Sequence, residues 1–374
     1  MTGREKMEAA FSAEGTPEIP AVVPYEDIFI RDHWDELTDL PWWYREAPDL
    51  EHQLAWRRKV ITEVGQDWFR LPRGSSRKER EEIFIEERPE GVYRVNRRTG
   101  ERERLRRPPV GGEVIPGGSR PLPEDFEDVE DAIPPPDDSP PDSVLRDGRG
   151  DLAGRLLEEF GGTFLPYSPV DSPLWSCYSL WGFEGLMVMV GTKPELVKFA
   201  CERFLAHAVR SVREWALLGS RAVWIEECMT DMISPAAFKE LSLPYARRLV
   251  DEIRNLGMKS IYYFCGNPFD RWNEVLSVGA DALAFEESKK GFRIDIEDVV
   301  ERVRGRFVVF GNLDAVGSLE RGSDAELRQE ISRQIAAGRR NKGRFVMSLG
   351  SPVTPGTPVG RVKLYCELVH ELGR

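Results

Sequence analysis

From about Asp151 onward the chain alternates short apolar segments with amphipathic ones, and few folds can absorb that alternation over so many repeats. The pattern predicts a helix over 151–160 and a strand at TFLPY (163–167). The aromatic, Pro-containing stretch SPLWSCYSLWGFEG follows, then a helix over 194–218 and a strand at 221–227. Helix 234–256, strand 258–264, helix 269–278 and strand 281–286 come next. Helix 295–304, strand 306–311, helix 323–338, strand 344–348 and helix 358–372 complete the series. Apolar strands alternating with helices imply parallel βαβ units. With no GxGxxG fingerprint after the first strand, the expected fold is a TIM (β/α)8 barrel rather than a dinucleotide fold. No P-loop pattern is present either, which disfavours phosphoryl transfer from ATP.

The first part of the chain reads differently, and three segments are expected. Residues 1–72 hold an amphipathic start (Arg4 to Phe11), a first strand in IPAVVPYEDIF, a helix from Leu50 to Val64, and a strand end at Gln66-Asp67-Trp68-Phe69. Trp34, Trp42, Trp43 and Tyr44 read either as packing of an irregular arm or as a cap on an apolar pocket. Residues 73–145 are an insertion. EEIFIEE, GVYRVN and ERERLRR alternate apolar and charged residues, as an antiparallel hairpin or meander with one solvated face does. The Pro-, Gly- and acid-rich stretch 111–143 reads as a linker. Residues 146–374 are the rest of the barrel.

A formal charge of −12 argues against nucleic-acid binding. The four histidines are far apart, which disfavours a multi-His metal site, and five scattered cysteines fit a reducing compartment. The start lacks an apolar core of signal-peptide length, and no run of about 18 apolar residues occurs. The expectation is a cytoplasmic protein with no membrane span.

A TIM barrel builds its site at the carboxyl ends of its strands. Five consecutive strand ends here are polar: Glu226-Glu227-Cys228, Cys265-Gly266-Asn267, Glu286-Glu287-Ser288-Lys289, Gly311-Asn312-Leu313-Asp314 and Gly350-Ser351-Pro352. One such end is commonly a helix cap, but five aimed at one mouth read as a site. Two chemistries suit them. Zinc could be held by Cys265 with Cys228, Glu226, Glu286 or Glu287, acting as a Lewis acid. Alternatively, a carboxylic acid of raised pKa could protonate a leaving heteroatom, for which Glu226, Glu227 and Glu287 are candidates. Adjacent carboxylates such as Glu226 and Glu227 are expected to split, one pointing in and one out. Cys265 also has a plainer reading, as a small buried hydrophobe.

The chain resembles the uroporphyrinogen decarboxylase superfamily, and within it the cobalamin-dependent methyltransferases. The resemblance runs from Arg4–Phe11 and Ile19-Pro20 through Ile233-Ser234-Pro235, Leu243-Pro244-Tyr245, Cys265-Gly266-Asn267 and Gly311-Asn312-Leu313-Asp314 to Ser348-Leu349-Gly350-Ser351 with Thr357-Pro358. It implies a TIM barrel. Members that methylate coenzyme M carry a zinc-binding His-x-Cys and a further Cys; Tyr263 and Ser351 stand at the His and second Cys positions here. Glu286 is similar in position to the zinc-ligating Glu of cobalamin-independent methionine synthase. The arginine-rich motif of true decarboxylases is missing from residues 1–40, so porphyrinogen decarboxylation is not expected.

The resemblance therefore implies a methyl transfer from a small methylated substrate, such as a methoxylated aromatic, to cobalamin. No DxHxxG segment occurs, so the cobalamin is expected on a partner corrinoid protein. Tyr178 and Trp181, with Trp175, are expected to favour an aromatic substrate. Tyr263, Asn267, Asn312 and Ser351 are expected beside it, with Asn312 and Asp314 orienting substrate or partner. A homodimer is the expectation by analogy. The rival readings are a lyase acting on another small acid, with basic residues lining its pocket, and an inactive scaffold.

Overall fold

The computed structural model describes residues 1–112, 122–288 and 291–374, so part of the expected linker (113–121) lies outside the described residues. In chain order the strands are β1 (Trp68–Arg70), β2 (Ile83–Arg88), β3 (Gly91–Asn96), β4 (Arg102–Leu105), β5 (Leu165–Asp171), β6 (Ala222–Cys228), β7 (Lys259–Cys265), β8 (Ala282–Phe285), β9 (Val308–Phe310) and β10 (Phe345–Val346). A parallel, curled sheet runs β1-β5-β6-β7-β8-β9-β10. Residues 20–23 close it: Ala21 bridges Met347 in parallel, and its carbonyl accepts from the Asp67 N–H at 2.8 Å. The fold is the expected TIM-type barrel, with β2-β3-β4 as a separate antiparallel sheet inserted after β1.

The strands are apolar on both faces because both are covered. Trp68, Tyr167, Trp224, Tyr263 and Phe310 point inward as one cluster, whereas Val223, Ile225, Tyr262 and Phe264 pack outward under the helices. Each of these rings contributes about 1.5–3 kcal/mol by leaving water. Helix Gly3–Phe11 adds Met7, Ala10 and Phe11 to the inner cluster. The Arg4 N–H donates to the Thr163 carbonyl, just before β5, so this helix plugs the amino-terminal end of the barrel. The carboxyl end carries an aromatic-lined cavity.

Three expectations need correcting, and the stretch SPLWSCYSLWGFEG, given no element above, gains helices. The helix read as 234–256 breaks into Pro235–Leu241 and Leu243–Asn255, because Pro244 lacks an N–H and can only start a helix. SPLWSCYSLWGFEG is helical (Pro173–Ser176, Tyr178–Thr192), turning at Gly182, where φ is 64°. Strand β5 reaches Asp171 rather than ending at 167. The linker carries a helix, Phe126–Ala132, whose Val129 is fully buried, with Phe126 edge-on to Phe199 at 5.2 Å. The aromatics near residue 40 serve packing: Trp34 is buried against Trp56 at 5.6 Å and donates to the Leu40 carbonyl at 2.7 Å.

Candidate functional site at the barrel mouth

Strand alternation decides which polar ends meet. On β6, Trp224, Glu226 and Cys228 share the inner face, and Glu227 lies on the outer one. On β7 the inner face carries Tyr263 and Cys265; Cys228 and Cys265 stand opposite each other in register. A cavity of about 530 Å³ opens at this end, bounded by β1, β5, β6 and the loop after residue 23. Trp68, Tyr167, Trp175 and Trp224 form walls, and Glu226 and Cys228 face into it.

Glu226 is only partly buried, yet its carboxyl is pushed up to about 7, first by burial and then by the Asp171 carboxylate, with Arg70 opposing. The Arg70 guanidinium is itself ion-paired with Asp27. Glu226 is therefore an acid that can hold or release a proton near neutrality. Cys265 beside it, then burial, push the Cys228 thiol far above its ordinary range.

Tyr25 covers this cluster. It sits at φ 57°, a left-handed conformation that costs a non-glycine residue about 1 kcal/mol or more. Its ring packs edge-on against Tyr263 at 5.6 Å and Trp224 at 6.3 Å. Burial, then Glu226, Cys228 and Cys265, push the phenol well up, which keeps it a hydrogen-bond donor. The sequence reading missed Tyr25, Arg70 and Asp171. Arg70 was findable as the last residue of a strand end; Asp171 was hidden because β5 is interrupted by Pro166 and Pro169.

Several expected site residues have other duties. Glu227 is fully buried outside the barrel and accepts from Ser172 Oγ (2.9 Å), Ser242 Oγ (2.7 Å) and Tyr262 Oη (3.1 Å). Burial nonetheless pushes it up to about 7. The structure does not bring it into the cavity, so its expected catalytic place is corrected. Asn312 spends both amide protons on the Glu286 and Ile294 carbonyls (3.1 and 2.8 Å). Asp314 Oδ1 caps the Val316 and Gly317 N–H groups, each at 2.9 Å. Trp181 is buried and donates to the Pro123 carbonyl at 2.8 Å, and Tyr178 is exposed, stacked on Trp175 at 5.0 Å. Asn267 turns its side chain to the Phe269 N–H, while its own N–H donates to Asp231 Oδ2 at 3.0 Å. Asp231 lies so close over Gly266 that any Cβ there would run into its carboxylate.

The positions expected for zinc are filled differently. Tyr263 Oη donates to the Gly350 carbonyl at 2.9 Å, and Ser351 Oγ donates to Glu287 Oε1 at 3.3 Å. These contacts bolt the last loop to β7 and β8. Glu286 is buried, with Oε2 unpaired among the described residues. Among the described residues no three His, Cys, Asp or Glu side chains converge as a metal requires. The expected combination of Cys265, Cys228 and Glu286 therefore does not fit zinc as these side chains stand. No helix among the described residues is long and apolar enough to cross a membrane.

Comparison with known proteins bears on the fold and the family. Among solved structures, a methyltransferase from Methanosarcina mazei superposes with a TM-score of 0.67 at 17% identity, over 99% of each chain, a likeness of fold. The uroporphyrinogen decarboxylase of Azotobacter vinelandii is 31% identical over 196 residues, 51% of this chain and 52% of that protein. That of Anaeromyxobacter sp. (strain Fw109-5) is 25% identical over 189 residues, 50% of this chain and 52% of that protein. The chain thus spans about half the length of the curated relatives it matches. The family model described as uroporphyrinogen decarboxylase (URO-D) matches residues 121–372, which include β5 to β10 and every inward-facing polar end described above except Arg70 and Tyr25. The chain belongs to the uroporphyrinogen decarboxylase family.

Proposed function

We propose that the chain is the substrate-handling component of a corrinoid-dependent methyltransferase, moving a methyl group from a small methylated compound to a cobalamin carried by a separate protein. The corrinoid supplies the nucleophile that takes the methyl group. This chain binds the donor between the cavity's aromatic walls, excludes water from it, and manages the proton at the leaving heteroatom. The observation that carries the reading is Glu226, whose half-buried carboxyl faces the aromatic-walled cavity beside Asp171 and is raised by burial and that neighbour. A proton shared between Glu226 and the leaving atom lowers the cost of the departing electron pair, an effect worth roughly 10²- to 10⁴-fold. Tyr25 can donate a second hydrogen bond there.

The second reading, decarboxylation of a small acid, is favoured by the names of the curated relatives. The cavity lining opposes it. Among the described lining residues Arg70 is the single basic one and is held by Asp27, while Glu26, Asp27, Asp171 and Glu226 are all acidic. A carboxylate substrate would meet like charge. The test mixes the protein with a reduced corrinoid protein and a panel of methyl ethers and methylated amines, following cobalt methylation by visible absorbance. Methylation that fails in Glu226→Gln is expected. Carbon dioxide release from a small acid without any corrinoid protein would instead establish the lyase.

A further inference from the structure

Among the described residues the cavity is short of one thing, a cation. Of its four carboxylates, Asp27 has the Arg70 guanidinium, and Glu26 accepts from the Arg70 N–H (2.9 Å) and Gln66 Nε2 (3.1 Å). Asp171 and Glu226 have no basic side chain of their own among the described residues of the lining. Charge near charge in a half-dry site is costly unless a proton or another cation is brought in. The walls around them are the faces and edges of Trp68, Tyr167, Trp175 and Trp224, with Tyr25 above. Aromatic rings beside carboxylates recognise alkylated ammonium groups, whose charge is spread over methyl surfaces too weakly hydrated to resist transfer. A further observation points to a ligand. Trp224 is 2% exposed and lines the cavity, yet its Nε1 has no acceptor among the described residues. A ligand oxygen would satisfy it.

We propose that the methyl donor is a small N-methylated ammonium bearing a hydroxyl or carboxylate oxygen, rather than a methyl ether. This rests on the methyltransferase reading and narrows it. The ammonium N–H faces Glu226, the methyl groups lie against the rings, and the oxygen accepts from Trp224 Nε1. The methyl carbon–nitrogen bond breaks, and its electron pair stays on nitrogen. The methyl carbon passes to the partner's reduced corrinoid, whose electron pair forms the new bond. The amine leaves neutral with its N–H intact, so no outside proton is needed.

Calorimetric titration of the full chain tests this with N,N-dimethylethanolammonium and its neutral isostere 3-methylbutan-1-ol, in which C–H replaces N–H⁺. The cation is expected to bind about tenfold or more tightly than the alcohol. Asp171→Asn, at an exposed strand end, should weaken it several-fold with an unchanged thermal melt. Trp224→Phe should weaken cation binding and reduce the ratio of cation to alcohol affinity, measured below any lowered melt. Equal binding of the alcohol, or displacement of the cation by methoxybenzene, overturns the proposal. The two readings separate cleanly. Cobalt methylation from methoxybenzene without cation binding sinks this inference and keeps the methyltransferase. Tight cation binding without methylation of any corrinoid protein supports the site and sinks the methyltransferase.

Discussion

Glu226 and Glu227 are neighbours on β6 and are both pushed up to about 7, yet they belong to different regions of the molecule. Glu226 faces the cavity, where burial and the Asp171 carboxylate raise it and water can still reach it. Glu227 is fully buried in the strand–helix layer, where three hydroxyl donors offset part of the desolvation. Ser172 caps the turn after β5 and Ser242 precedes helix Leu243–Asn255, so Glu227 ties two helix starts to the barrel wall. Similar acidity therefore has opposite meanings on the two faces of one strand: reactivity inside and architecture outside.

Substitutions can break that contrast, and the largest effect is expected inside. Glu226→Gln should lower methyl transfer by about 10²- to 10⁴-fold while leaving the urea denaturation midpoint near that of the parent. If both activity and midpoint fell together, the inner carboxyl would be structural and the contrast wrong. Glu227→Ala should do the reverse, costing about 2–4 kcal/mol by urea denaturation because it strands three buried hydroxyls. Its activity per folded molecule should persist.

The pH dependence of stability sharpens the comparison. Both carboxyls bind a proton more tightly folded than unfolded, since their folded values lie above 4.5. Their contribution is therefore fully present below pH 4.5 and lost as pH rises through about 7. For Glu227 the loss is on the order of 3 kcal/mol; for Glu226 it is smaller, because solvent reaches it. Denaturation between pH 4.5 and 8 should show this decline, flattened more in Glu227→Gln than in Glu226→Gln. The same slope in both variants would mean that the two environments are not distinct.

The smallest effect is expected at sulfur, on the same inner face as Glu226. Cys265→Ala should change stability by about 1 kcal/mol or less and leave metal content as it was. Elemental analysis of the parent protein should find zinc well below one per chain, since among the described residues no third donor joins Cys228 and Cys265. Stoichiometric zinc lost in Cys265→Ala would overturn that placement.

Periodicity alone settled the architecture, because a strand covered on both faces and a helix covered on one leave different and unmistakable patterns. The rim was legible as five polar strand ends, and the rule that side chains alternate was enough to say that Glu226 and Glu227 must part company. It could not say which of them turned inward, since that depends on where β6 sits relative to β5 and β7. Nor could it separate a ligand-facing amide from Asn312, whose protons are taken by carbonyls from two distant loops. Tyr25, Arg70 and Asp171 come from segments far apart in the chain and meet Glu226 only when residues 20–23 close the sheet. The charge of the cavity, and with it the choice of ligand, is a sum over those meetings, and only the folded barrel performs it.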